Sequence, residues 1–278
     1  MITRKQRVGV LVKTILVACL AVFFVIPLVW MILSSLKTTP EVFMRPYRWL
    51  PREWQWKNYA EVWLSSEMPM LRAYGNSIFI AVFSIAGQLA IASLAAYGFA
   101  KVQFVGKGFV FMLFLSSMMI PSQVTIIPRF MLFRTIGLYN SLWAIILPSW
   151  FGATAIFLLR QFYMGLPDDL MEAAKIDGAG HLRIFAQIML PLTKSALISL
   201  LILAFISSWN EYLSALIFLT KTDKFTIPQA IQWYMQDELK QHNLTMAAAS
   251  SAVIPVVILF MFSQKYFVEG IATAGVKG

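Results

Sequence analysis

The chain has 278 residues, of which 59% are hydrophobic and only 13% are charged, and its formal net charge is +10. A typical soluble domain carries about 25% charged residues, and a soluble chain of this size could not bury so much apolar surface. The composition therefore excludes an ordinary soluble protein and predicts an all-α membrane protein. In such a protein the basic excess indicates contact with anionic lipid head groups rather than with nucleic acid.

Six stretches of the sequence are long and apolar enough to form a membrane-spanning helix, which needs about 20 residues. The predicted spans are Thr14–Leu36, Ala73–Ala100, Gly108–Pro128, Thr135–Leu159, Ser195–Thr220 and Asn243–Gln264. The first span is too long for a signal peptide and no A-x-A cleavage site follows it, so we expect it to be retained. The prediction is a polytopic protein with six transmembrane helices in one domain, residues 1–278.

The basic residues around the first span predict a cytoplasmic N-terminus. Four of them precede the span and one, Lys37, closely follows it; the four are Arg4, Lys5, Arg7 and Lys13. Positive charges near helix ends favour the cytoplasmic side, and the first helix usually dominates. Six spans then place the C-terminus in the cytoplasm as well.

The predicted outer connection, residues 37–72, is rich in aromatic side chains. They are Tyr47, Trp49, Trp54, Trp56, Tyr59 and Trp63. Tyrosine and tryptophan commonly anchor a protein at the membrane interface. Contact with an external partner or a sugar is the alternative, and the sequence leaves both open.

The fifth predicted span contains an acid, Glu211. In a continuous helix Ser207, Glu211 and Ser214 would share one face, because they are spaced i, i+4 and i+7. An acid within a span costs about 2–3 kcal/mol on insertion scales, so it usually faces a bundle interior or a wet cavity. We therefore predict that Ser207, Asn210, Glu211 and Ser214 line a translocation path. The alternative is a structural hydrogen bond between helices, with Asn210 as a partner.

The sequence gives no sign of catalysis, of a bound metal or of a nucleotide site. The two histidines, His181 and His242, have no second ligand at metal-binding spacing, and Cys19 is the single cysteine. No G-x-x-x-x-G-K-[ST] motif is present for ATP, and no Ser/His/Asp constellation suggests a reaction centre. We expect no metal, no cofactor on this chain and no enzymatic activity.

Between the fourth and fifth spans lies a charged stretch that predicts a short helix, a glycine break and a second short helix that Pro191 closes. Pro167 and the two acids after it suit a helix start, and Gly178 and Gly180 supply a stop. A helix of about ten residues is marginal alone in water and needs packing. We therefore predict a cytoplasmic docking surface. The alternative is an amphipathic helix lying on the membrane, which Lys175 and Arg183 would suit.

Several residues of this stretch carry a resemblance to a known family. Glu172-Ala173-Ala174, then Asp177-Gly178-Ala179, then Ile188-x-Leu190-Pro191 resemble the EAA loop of binding-protein-dependent ABC importer permeases. Four further stretches are similar to the carbohydrate branch of that family, and specifically to the second permease subunit of maltose-type systems. They are Asn58-Tyr59, Met119-Ile120-Pro121, Trp209-Asn210-Glu211 and Gly275-Val276-Lys277-Gly278.

The resemblance implies a permease subunit of an ATP-driven sugar importer. The loop, residues 161–193, would contain a coupling helix that docks in a cleft of a separate ATPase subunit. Two ATPase subunits would bind ATP and Mg, a second and usually non-identical permease would complete the pore, and an external solute-binding protein would deliver a carbohydrate. This chain would then need no nucleotide site of its own.

The resemblance also implies roles for individual loop residues. Glu172 would make polar or ionic contacts in the cleft, and the small Ala173 and Ala174 would allow close approach. Gly178 would permit the sharp turn, with a positive φ, and Asp177 would cap or brace it. The tail, residues 270–278, resembles a family segment that reaches the ATPase interface.

Two other classes of protein remain open at this point. One is an ion-coupled secondary carrier with Glu211 as the ion or proton site, for which inverted repeats and broken helices would be the signature. The sequence shows neither feature. The other class is a membrane scaffold or receptor subunit without transport of its own.

Overall fold

A computed structural model describes the backbone of residues 4–236 and 241–275 and the side chains of residues 9–236 and 241–264. Within these ranges the protein is helical and has no β-strand. The first helices are α1 (Arg4–Ser35), α2 (Thr39–Val42), α3 (Lys57–Leu64), α4 (Met70–Lys101), α5 (Lys107–Ser116), α6 (Ile126–Thr135), α7 (Trp143–Ser149) and α8 (Ala153–Met164). The others are α9 (Asp169–Ile176), α10 (His181–Ile184), α11 (Leu190–Leu192), α12 (Lys194–Trp209), α13 (Leu213–Phe218), α14 (Ile227–Gln236) and α15 (His242–Gly275). The all-α prediction is confirmed.

Short 3-10 segments follow α5, at Ser117–Met119, and precede α14, at Thr222–Lys224. A single π-helical turn, Phe185–Met189, joins α10 to α11. The chain divides into two compact units, residues 1–71 with 230–254 and residues 72–229 with 255–278. The single membrane domain therefore stays a prediction.

Four helices among the described residues are long and apolar enough to cross a membrane. They are Gly9–Ser35, Met70–Lys101, Trp143–Met164 and His242–Gln264. A fifth span is formed if the pair His181–Leu192 and Lys194–Trp209, bent by 77°, is counted as one. The apolar helix Lys107–Met119 is about 20 Å long at 1.5 Å per residue, short of a hydrocarbon core of about 30 Å. The polytopic class is confirmed, and the count of six spans stays a prediction.

The third and fourth predicted spans have the wrong boundaries. The apolar run Gly108–Pro128 is not one helix, because residues 120–125 are not helical and α6 begins at Ile126. Thr135 ends a helix rather than beginning one. Gly137 and Asn140 follow with φ of 76° and 56°, a left-handed conformation that a helix cannot contain. Apolarity marks which residues avoid water, but it does not mark where the backbone changes direction.

The fifth predicted span is also interrupted. The helix α12 ends at Trp209, residues 210–212 are not helical, and α13 begins at Leu213. The prediction of one continuous helix over Ser195–Thr220 is therefore wrong, and Glu211 lies in the break.

In the unit formed by residues 1–71 and 230–254, the aromatic residues of the outer connection divide into two groups. The Tyr59 hydroxyl lies 2.7 Å from Ser35 Oγ and 2.9 Å from Ser250 Oγ, and Trp63 Nε1 donates to Ser251 Oγ at 3.1 Å. These two side chains therefore hold α3 within the unit. The remaining four are exposed and keep both alternatives open: Tyr47, Trp49, Trp54 and Trp56.

Candidate coupling loop and membrane cavity

The helix α9 is anchored on the chain's own core. It is eight residues long, slightly shorter than the sequence predicted, and it begins after Asp168. Met171 and Ala174 are buried in an apolar cluster that also contains Tyr163, Ile184 and Met189. This packing supplies what so short a helix lacks in isolation. It leaves Leu170 and Ile176 exposed, so the membrane-surface alternative stays open.

The end of α9 is fixed by a glycine in the left-handed conformation. Gly178 has φ +78°, as the sequence predicted, and its N–H donates to the Lys175 carbonyl at 3.0 Å. The next N–H, of Ala179, donates to the Ala174 carbonyl at 2.9 Å. These two bonds form a Schellman motif. Asp177 is the C-cap residue of this motif, with φ −74° and ψ 6°.

The predicted coupling residues do not all face outward. Glu172, Ala173 and Asp177 are exposed, and so is Ile176, at 86%. We call these four residues the docking face. Ala174 is 7% exposed, so its small side chain serves close packing inside this chain rather than approach by a partner. The role that the resemblance implied for Ala174 is corrected in this respect.

The C-terminal end of α4 contacts the chain on both sides of α9. Lys101 Nζ donates to the Leu166 carbonyl at 2.7 Å and to Asp168 Oδ1 at 2.6 Å. On the other side of α9, the Tyr97 hydroxyl lies 3.0 Å from His181 Nδ1. Sequence reasoning missed Lys101 and Tyr97, because Lys101 reads as an ordinary loop cation and Tyr97 as an apolar span residue.

Lys101 makes its attachment through a carbonyl hydrogen bond and an ion pair. Its side chain is 5% exposed while that of Asp168 is 74% exposed. The hydrogen bond and the positive charge of Lys101 hold the pKa of the Asp168 carboxyl below its ordinary value. A lowered carboxyl pKa means that the pair is intact above the usual aspartate range and is lost only as the pH falls through the lowered value.

We expect Lys101→Met to loosen the attachment of α9. The Leu166 carbonyl would lose a charged donor, and such bonds contribute about 1.5–3 kcal/mol, so amide exchange in α9 should accelerate about tenfold or more at neutral pH. Lys107→Met is the matched control, because Lys107 Nζ donates to the Ala100 and Val102 carbonyls and not to the loop. Equal exchange rates in the two variants would contradict the assignment.

A cavity of about 790 Å³ opens within the unit formed by residues 72–229 and 255–278. Its volume is in the range of small-molecule sites, about 300–1,000 Å³. Hydroxyl and amide side chains dominate the polar part of its lining. These are Ser84, Gln88, Ser122, Gln123, Ser149, Thr154, Ser207, Ser208, Asn210, Tyr212 and Ser214. The cavity is therefore suited to a solute that exchanges many hydrogen bonds.

All four residues predicted to line a path contact this cavity: Ser207, Asn210, Glu211 and Ser214. The sequence predicted Ser207, Glu211 and Ser214 on one face of a continuous helix, and the structure has a different arrangement. Because the helix is broken at residues 210–212, they do not lie on one helical face. Glu211 Oε1 accepts a hydrogen bond from the Ser214 N–H at 2.7 Å and so caps the start of α13. The side chain of Asn210 donates to the Ile206 carbonyl at 2.8 Å. Their role in a path stays a prediction.

Arg129 is a cavity residue that sequence reasoning missed. It directly follows the predicted third span and therefore reads as a flanking charge, but it lies on α6 and lines the cavity. Its Nη2 is 3.4 Å from Ser214 Oγ, and its guanidinium carbon is 4.9 Å from the centre of the Phe218 ring. No local sequence signal could have joined it to Ser214, 85 residues away.

Two glycines allow the break between α7 and α8 to pack against α4 beside the cavity. A Cβ on Gly87 would overlap the indole of Trp150, and a Cβ on Gly152 would overlap the Gln88 amide. Trp150 Nε1 donates to the Phe83 carbonyl at 3.0 Å. The close approach at Gly87 therefore positions a wall of the cavity.

Known proteins give an independent comparison. A family described as "Binding-protein-dependent transport system inner membrane component" matches residues 88–273. The chain is 33% identical to the arabinooligosaccharides transport system permease AraQ of Halalkalibacterium halodurans, over 95% of each chain. It is 32% identical to the probable ABC transporter permease YurM of Bacillus subtilis, over 91% of this chain and 83% of that one.

A further relative is the sn-glycerol-3-phosphate permease UgpE of Pectobacterium atrosepticum, 32% identical over 92% of this chain and 93% of that one. Among solved structures, the fold is similar to a chain of a bacterial ABC transporter involved in the import of the acidic polysaccharide alginate. The TM-score is 0.84, with 24% identity over 96% of this chain and 99% of that chain. At this identity the likeness shows the fold alone.

Proposed function

The chain belongs to the inner membrane components of binding-protein-dependent transport systems, and from this premise we propose that it moves a carbohydrate or a similar polyol. It is a multi-pass permease subunit of an ABC importer and not an enzyme. The proposed solute class is supported by the hydroxyl-rich and amide-rich cavity. It is also supported by relatives named for arabinooligosaccharides and sn-glycerol-3-phosphate.

The observation that carries the proposed mechanism is the attachment of α9. The helix is buried on one side, held by Lys101 just before its first residue, and exposes the docking face. A rigid helix with a free face can transmit a displacement from a partner to the spans. We propose that this partner is an ATPase, with Glu172, Ala173 and Asp177 contacting it. Ala174 and Gly178 set the shape of the loop.

The remaining components of the importer are proposed from family membership. Two ATPase subunits bind ATP and Mg, a second permease completes the pore, and an external solute-binding protein delivers the solute. Lipid surrounds the spans. The C-terminal segment, residues 270–278, is proposed to approach the ATPase; its side chains, and residues 276–278 altogether, lie outside the described residues.

We further propose a cytoplasmic location for both termini and for the loop at residues 161–193, with residues 37–72 outside. The four basic residues before α1 and the single Lys37 after it support this orientation. In a background in which Cys19 is replaced by serine, a membrane-impermeant thiol reagent should label Trp56→Cys in intact cells but not Gly180→Cys. The reverse pattern would overturn the orientation.

The ion-coupled carrier remains the competing function to test. The helix break that contains Glu211 is a feature of such carriers, but family membership makes ATP the energy source. The importer, reconstituted in liposomes with its binding protein, should take up solute with internal ATP and without any ion gradient. Uptake driven by a proton or sodium gradient in the absence of ATP would refute the proposal.

A further inference from the structure

The charged residues of the cavity form a balanced pair. Among the described residues that line it, Arg129 and Glu211 are the two that carry a formal charge, and they interact electrostatically. Ser214 contacts both of them, through its N–H to the carboxylate and through its hydroxyl to the guanidinium. One positive and one negative charge sum to zero. Every other polar group in the lining is neutral.

Not every hydrogen-bond donor of the Arg129 side chain has a partner among the described residues. A guanidinium has five N–H donors, and Arg129 Nε is buried without a hydrogen-bond partner in the described structure. Ser84 Oγ and Ser208 Oγ are likewise buried without a hydrogen-bond partner in the described structure. Both residues line the same cavity. Unpaired buried polar atoms are rare in folded proteins and call for an explanation. The three atoms belong to residues on three helices that line the cavity, α4, α6 and α12, so unpaired polar groups gather around it.

The sign of the cavity's field depends on both partners. An arginine alone would attract carboxylates and phosphates, which it binds with two parallel hydrogen bonds. A cavity lined by one sign of charge and walled by apolar groups concentrates solutes of the opposite sign. Glu211 cancels that attraction, so the field gives no advantage to an anion or a cation, and the hydroxyl and amide lining decides what enters.

We propose that Arg129 and Glu211 together set the charge preference of the permease, and that they tune its cavity to neutral, hydroxyl-rich solutes. The inference rests on the proposed transport function, whose solute class it narrows. Glu211 acts as the counterion that prevents Arg129 from selecting anionic sugars such as uronates or sugar phosphates. Arg129 is the specificity-determining residue that the sequence did not reveal.

The test measures the cavity's charge preference with small reagents as stand-ins for solutes. In a Cys19→Ser background, Ser207→Cys places a thiol in the lining, where Ser207 is exposed. The purified importer is treated with a trimethylammonium-ethyl or a sulfonatoethyl methanethiosulfonate. The modified fraction of this chain is then read by mass spectrometry. With Arg129 and Glu211 both present, the two rates should have the ratio measured for a small thiol in solution.

Removing one charge should shift that ratio in a predictable direction. Glu211→Gln keeps an oxygen for the Ser214 N–H and should shift the ratio toward the sulfonate by about two orders of magnitude. One charge at about 10 Å in an effective dielectric of about 20 changes the rate of each reagent by roughly tenfold or more, and it acts on the two reagents in opposite directions. Arg129→Gln should favour the ammonium reagent by a similar factor. The double variant should restore the ratio. Asp223→Asn, an acid-to-amide change outside the lining, should leave it unchanged.

The outcomes separate this inference from the proposed function, because labelling needs neither ATP nor solute. Ratios that do not move in Glu211→Gln and Arg129→Gln overturn the charge pair, even if uptake is driven by ATP. Ratios that move as stated support the pair, even if uptake proves not to need ATP. Arg129→Lys keeps the positive charge and should therefore keep the ratio. This control distinguishes an effect of the lost charge in Arg129→Gln from an effect of misfolding.

Discussion

Replacing Gly178 with valine should abolish ATP-driven uptake and release the ATPase on purification, while the chain still inserts in the membrane. Gly178 has φ +78°, and a Cβ added at this position would have no neighbour within 4 Å. The obstacle to a valine here is therefore backbone strain and not a steric clash. An L-residue in this conformation costs roughly 1–2 kcal/mol, and a β-branched residue costs more. Relief of the strain would break the Schellman bonds and move Asp177 and the docking face.

Two control variants separate strain from bulk. Gly178→Asn adds a side chain at the same position, but asparagine tolerates the left-handed region, so coupling should largely survive. Gly180→Val adds valine two residues away, where φ is −72°, ψ is 164° and the space is open. The measurements are co-purification of the ATPase and ATP-driven uptake in liposomes. Full uptake by Gly178→Val, or equal loss in all three variants, would defeat the coupling-helix mechanism.

The features that the sequence predicted well are those that local chemistry determines. A long apolar run in a membrane satisfies its backbone hydrogen bonds within itself chiefly by forming a helix, so the all-α class followed directly. The conformation of Gly178 followed from its place at the end of a short helix. In both cases the residues that decide the structure are neighbours in the chain.

The features that the sequence missed depend on contacts between distant segments. The partners of Lys101 lie 65 and 67 residues away, and Arg129 meets Ser214 across 85 residues. The break at residues 210–212 occurs inside an apolar run that Glu211 alone interrupts with a charge, and this acid supplies the oxygen that caps α13. Ala174 looks like Ala173 in the sequence, and only the packing of α9 shows that one is buried and the other exposed.

Gly87→Ala should destabilise the permease, although alanine ordinarily stabilises a helix relative to glycine by about 1 kcal/mol. The new Cβ would overlap the Trp150 indole, and moving the ring would break its bond to the Phe83 carbonyl. Overpacking costs about 1–3 kcal/mol and a lost hydrogen bond about 0.5–1.5 kcal/mol. The thermal unfolding midpoint of the purified importer should fall by roughly 5–10 °C.

Gly98→Ala is the matched control. Gly98 lies on the same helix, and a Cβ added there would have no neighbour within 4 Å. This variant should leave the unfolding midpoint unchanged or raise it. A second change then identifies the cause, because Trp150→Leu removes the ring that the alanine meets. If the clash is responsible, Gly87→Ala combined with Trp150→Leu should be more stable than the two separate losses predict, since residues in contact are not additive. Strict additivity would mean that Gly87 matters for some reason other than the approach of Trp150. In that case the cavity wall beside Ser149 and Gly152 would not depend on the contact between Gly87 and Trp150. If the wall does depend on this contact, uptake should also fall in Gly87→Ala.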